Sequence, residues 1–256
     1  MNSPSNSVFL ILFLYPFAFF GQVPEIQPIP TAELLEINKK YSELERVASL
    51  RIQENPNDIS SFSNRGDARL FLGKFLDSRN DYEKMIELNP KLEVSHWRLG
   101  IAYFYLSDFS KAARQFEIYH QYDNVDRENG IWRFMSQYKD KGLEYARNGL
   151  LLYTQNDRPP YPWLYGMFAG DIKSGEVFKR IKSKAFSTHY ETRVLFHADL
   201  YVGIFLELTE GPSSQALFHL ARAASNEYGR KSGTFMWQVA RLHHARLAKI
   251  MSNLKE

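Results

Sequence analysis

Two stretches of equal length decide the fold. Asn64 to Pro90 reads NRGDARLFLGKFLDSRNDYEKMIELNP, and Trp97 to Asp123 reads WRLGIAYFYLSDFSKAARQFEIYHQYD. Their landmarks recur at one stride. Gly66 and Gly100 lie 34 residues apart, as do Phe75 and Phe109, Tyr82 and Phe116, and the Asn-Pro pairs ending at Pro56 and Pro90. A small residue on one helix lets the next helix approach closely, and Gly66 and Gly100 hold that place. On the following helix the large ring falls at Tyr82 or Phe116, with Ala112 one turn before Phe116. Asn-Pro then ends the pair, because a residue before proline is pushed out of the helical region. A helix pair of this kind leaves one face uncovered until a neighbour stacks on it.

A period of 34 residues is that of tetratricopeptide (TPR) helix pairs. Residues 59–124 resemble that family: Leu99, Gly100, Tyr103, Ala112 and Phe116 fall on its pattern. Departures are Arg65 and Arg69 where Leu and Tyr are common, Ser78 for Ala, His96 for Trp with Trp97 one place late, and Asn124 for the closing Pro. The expected fold is an all-α, TPR-like helical-repeat solenoid, with repeats over residues 31–125. Within it, Thr31–Glu54 is a partial or capping repeat. Leu34, Ile37, Tyr41, Leu44, Val47 and Leu50 or Arg51 recur on it at helical spacing.

Residues 126–256 are expected to be a helical second half of degenerate repeats. Trp132, Met135 and Tyr138 share a face. Thr154–Tyr161, with Arg158-Pro159-Pro160, is a break. Short helices follow at Trp163–Ala169 and from Ser174. A weak repeat returns with Leu200, Gly203 and Leu206, then Ala216, Leu220 and Ala223. The last helix carries Met236, Ala240, His243, Leu247, Ile250 and Leu254 at steps of four and three, a packing seam. The segments ENGIWRFM, RPPYPWLYGMFAGDIKSGEVFKRI, ADLYVGIFLEL and FMWQVARLHHARL resemble bacterial exported TPR proteins of the NlpI-like kind. That resemblance implies a scaffold of the cell envelope.

Val8–Phe20 is a charge-free apolar run of signal-peptide length. Residues 1–21 are therefore expected to be a cleaved export signal, with an uncleaved membrane anchor through residues 8–20 as the alternative. Residues 22–30 form a Pro-rich linker. The chain has no Cys, which removes disulfides, thiolate metal sites, Cys nucleophiles and a lipoprotein anchor. The net charge of +3 is spread along the chain and does not point to nucleic acid.

No phosphate-cradling or metallohydrolase motif occurs, so no metal, cofactor or catalytic residue is assigned. His243 is read as a hydrogen-bonded core histidine. His197 and His219, on facing helices, could approach each other. Glu43 and Glu45 are read as solvated. The resemblance also implies a concave groove lined by the first helix of each pair: Ser63, Asp67 and Phe71, then Trp97, Ile101, Phe104 and Tyr105. The bland alternative covers these aromatics as core. The cationic clamp by which chaperone-binding TPR domains hold a terminal carboxylate is not matched, since Ser63, Asp67, Trp97 and Ile101 stand in its places. An apolar or helical segment of another protein is the expected ligand. The expected function is a non-catalytic adaptor acting outside the cytoplasm. The rivals are an envelope hydrolase and a self-assembling homo-oligomer.

Overall fold

The computed structural model describes residues 29–254. The export-signal reading falls on residues outside that range. Most of the linker does too, but Ile29 is buried in the core. The described residues contain helices and no strand.

Helix α1, Thr31–Glu54, stops where Asn55 precedes Pro56. Helix α2, Ile59–Phe71, starts under the Asp58 carboxylate, which accepts the Ser60 N–H, as an N-cap should. Helix α3, Phe75–Leu88, ends at Asn89. A 3-10 turn over Pro90–Ser95 leads into α4, Trp97–Tyr105, and α5, Phe109–Tyr122. These are the two repeats, and each packs as an antiparallel helix pair.

The glycines do what the spacing required. A Cβ on Gly66 would lie 2.5 Å from the Tyr82 ring, and one on Gly100 would lie 2.7 Å from the Phe116 ring. Both rings are fully buried. The weaker repeat uses the same device. Helix α10 spans Thr188–Glu210 and α11 spans Ser214–Ser225. There a Cβ on Gly203 would meet Leu220 at 2.8 Å.

The polar departures are answered by ion pairs. Asp81, with its side chain 3% exposed, binds Arg65 at 2.8 Å and Arg69 at 2.9 Å. Glu45 binds Arg69 at 3.0 Å and Lys74 at 2.7 Å. Glu45 is thus not a free surface charge, while Glu43 is exposed and pairs with Arg46. The face of α1 is corrected accordingly. Leu44 and Leu50 are exposed, and the packed side runs through Tyr41, Glu45 and Ala48. A steady 3.6-residue turn from Tyr41 reaches Glu45 and Ala48 rather than Leu44.

The chain continues through α6 (Arg127–Lys141), α7 (Leu143–Asn148), α8 (Tyr161–Ala169) and α9 (Ser174–Lys182). Beyond α11 come α12, Glu227–Ser232, and α13, Phe235–Asn253. Helix α13 begins under the Thr234 hydroxyl, which accepts the Trp237 N–H. One face of α13 packs on α11, where the Trp237 indole donates to the Ala224 carbonyl at 2.9 Å. The seam holds from Met236 to Leu247, but Leu254 is exposed. The other face turns back onto the first repeats. Gln238 donates to the Tyr41 hydroxyl at 2.9 Å, and Arg241 donates to the Phe71 carbonyl. Arg230 of α12 pairs with Glu33 of α1. The C-terminal helices therefore close against the N-terminal ones.

Candidate functional site

The residues expected to line the groove do sit along α2 and α4, but most are covered. Ile101 is fully buried, and Phe71 and Phe104 are nearly so; they are core, not open lining. Ser63 and Asp67 are taken by a neighbour. Arg98 bridges Asp67 at 2.7 Å and Ser63 at 3.1 Å, and the Tyr82 hydroxyl donates to Asp67 at 2.6 Å.

Phe104 packs on Phe109 and Trp132, and helix α13 covers Phe71, Trp97 and Tyr105. The Phe235 ring sits 5.0 Å from Phe71 and 4.8 Å from Trp97, edge to face in both cases. Tyr105 meets His243 at 2.9 Å between its hydroxyl and Nδ1. The other ring nitrogen of His243 lies 2.6 Å from the Glu207 carboxylate. His243 is thus the hydrogen-bonded core histidine expected. Burial works against the Glu207 charge, but the His243 hydrogen bond and the charges of His243 and Arg246 outweigh it and bring its pKa down to about 2. His197 and His219 take separate partners, Tyr161 at 2.8 Å and Asp199 at 2.8 Å. Among the described residues no three His, Asp or Glu side chains gather as a metal site.

Beside the Trp97–Phe235 contact the surface stays open. A cavity of about 300 Å³ lies there, at the meeting of α4, α6, α10, α12, α13 and the loop before α8. Trp97, Trp132, Tyr228 and Phe235 give it aromatic walls. Its polar lining comes from Asp126, Glu128, Asn129, Arg158, Arg193 and His197.

Much of this lining is tied together. Asp126 caps α6 by accepting the Glu128 N–H at 3.0 Å. Arg158 reaches Asp157 at 3.0 Å, Asp126 at 3.5 Å and Glu128 at 3.6 Å. The Tyr201 hydroxyl donates to Glu128 and accepts the Trp132 indole N–H at 3.0 Å. Burial, then the nearby Asp126 charge, lifts the Glu128 carboxyl to about 7. Burial, then Arg158, lowers His197 to about 3, so its imidazole is neutral. These acids are engaged in holding the helices together.

Glu128 also makes the fold pH-dependent. Its folded pKa lies above the ordinary 4.5, so the folded state holds a proton that the unfolded chain releases. Stability is therefore fully present below pH 4.5 and falls as pH rises to about 7. Glu128→Gln removes that slope. Its melting temperature is expected to match the parent at pH 4 and exceed it at pH 8. Parallel pH profiles for the two proteins would contradict this.

Of the seven residues expected to line the groove, Trp97 alone borders this cavity, and its polar lining was not among them. Asp126, Arg158 and Arg193 lie in three separate segments, and no periodicity links them. The one available signal was the ENGIWRFM and RPPYPW pair, which carries Glu128, Asn129, Trp132 and Arg158.

The helix pairs and the ring-on-glycine contacts make this an all-α, TPR-like helical-repeat fold. No family model matches the chain. It is 31% identical over 101 residues to Hsp70-Hsp90 organizing protein 3 of Arabidopsis thaliana, covering 39% of this chain and 18% of that protein. It is also 31% identical over 101 residues to the Hsp70-Hsp90 organizing protein of Triticum aestivum, covering 39% of this chain and 17% of that protein. The chain thus spans under a fifth of the length of these curated relatives.

Proposed function

We propose that this protein is a non-catalytic adaptor whose concave face receives a helical segment of another protein. One observation carries the reading: the face already holds a helix. Helix α13 lays Phe235, Gln238, Arg241 and His243 across α1, α2 and α4. An amphipathic helix in an apolar groove is a recurring recognition mode. Arg241 adds to the case. It is 7% exposed and makes no ion pair among the described residues. A buried guanidinium without a carboxylate is costly, so the α13 contact is one that a better-matched helix can replace.

The relatives support an adaptor, since both are named as organizing proteins for Hsp70 and Hsp90. A chaperone partner is not carried over. Arg98 closes the Asp67 and Ser63 positions that a carboxylate clamp would need. The proposal retains the location outside the cytoplasm, on the strength of Val8–Phe20 and the NlpI-like resemblance.

Trp97 is the floor residue to test. Membrane and soluble fractions are captured separately with parent protein and with Trp97→Ala, and partners are identified by mass spectrometry. The adaptor reading expects one set of partners, concentrated in the envelope fraction and lost in the variant at unchanged helicity. Partners retained by Trp97→Ala would refute the groove.

A further inference from the structure

The open cavity adjoins the strip that α13 covers and shares Trp97 and Phe235 with it, but its polar lining is its own. We propose that it binds a neutral polyhydroxylated ligand, a sugar of one or two rings, stacked on Trp97 and hydrogen-bonded by Asn129, Arg193 and the carboxylate of Asp126.

The first observation is an unanswered donor. Asn129 is 5% exposed and lines the cavity, yet its Nδ2 makes no hydrogen bond among the described residues. The neighbouring Tyr119 hydroxyl is near enough to answer one of the two amide N–H groups at most, which leaves the other open. Buried amide donors are normally satisfied, and one left open marks a missing partner.

The second is Arg193. Its guanidinium lies over the Tyr228 ring at 5.8 Å and has no carboxylate partner among the described residues. Together Asn129 and Arg193 ask for acceptors. Asp126, although it caps α6 and faces Arg158, keeps lone pairs free for a further donor.

The third is the charge balance. An anionic ligand would meet Asp126, and a cationic one would meet Arg158 and Arg193. A hydroxyl both donates and accepts, so a ring of hydroxyls satisfies each group without a like-charge contact. The apolar C–H face of such a ring suits aromatic walls, and Trp97, Trp132 and Phe235 supply them. A volume of about 300 Å³ stands at the small end of ligand sites.

Tryptophan fluorescence reads the site directly, because two of the chain's four Trp line it. The intact protein is titrated with glucose, N-acetylglucosamine and maltose. Citrate and tetramethylammonium serve as anionic and cationic probes. At least one sugar is expected to give a saturable change, weakened tenfold or more by Asn129→Leu and by Arg193→Ala. Arg193→Ala removes no ion pair, so it keeps a folded readout even if Asn129→Leu is unstable. Flat sugar titrations overturn the proposal. So does saturable binding of citrate or tetramethylammonium alone, or sugar binding that both folded variants leave unchanged. None of these outcomes depends on partner capture, so the adaptor reading stands or falls separately.

Discussion

Gly100→Val is expected to destabilise the chain by about 3 kcal/mol, at the upper end of what overpacking costs. The added Cβ would sit 2.7 Å from the Phe116 ring, with two more ring atoms within 3.1 Å. That ring cannot swing away. It is fully buried and stacks on Trp132 at 6.0 Å between centroids. The helices must therefore separate, and the contacts of α4 with α5 open. Urea melts of single and double variants test the mechanism. In a Phe116→Ala background the glycine substitution should cost at least about 1 kcal/mol less, since the obstacle is gone and contacting residues couple. Additive costs would show that Gly100 is not where the two helices touch.

The second large effect is at Asp81. Asp81→Ala is expected to cost about 3 kcal/mol, the lower end for breaking a buried ion pair by removing one partner. Its carboxylate holds both Arg65 and Arg69. Without it two guanidinium groups remain between α1, α2 and α3. Arg69 keeps Glu45, but Arg65 keeps only the Ser49 hydroxyl at 3.3 Å and the face of the Phe62 ring, and no carboxylate. Because the Asp81 side chain is 3% exposed, the loss should persist in 1 M salt, where exposed pairs are screened. A loss that vanishes in salt would place this network at the surface instead.

These two sites show how much of the fold was legible in the sequence. The glycine-to-ring spacing encodes a short contact within one helix pair, so a fixed stride reveals it. The Asp81 network appeared only as anomalies, Arg65 and Arg69 at apolar places, because the answering acids lie on two other helices. Cover of the groove by a neighbouring helix was among the readings, but which helix supplies it was not legible, because nothing around Phe71, Trp97 or Tyr105 tells that Phe235 and His243, far along the chain, return to them. The seam on α13 was visible as a stripe. Its other side, which carries Gln238 and Arg241, has no apolar stripe to mark it as packed, yet both residues are buried.

The most direct test sets the floor of the groove against its occupant. With a purified partner in hand, its affinity is measured for the parent chain, Trp97→Ala and Phe235→Ala. Phe235→Ala loosens the resident helix and should tighten partner binding, whereas Trp97→Ala should weaken it. A partner whose affinity falls in both variants, or shifts in neither, would contradict a groove that α13 and the partner share.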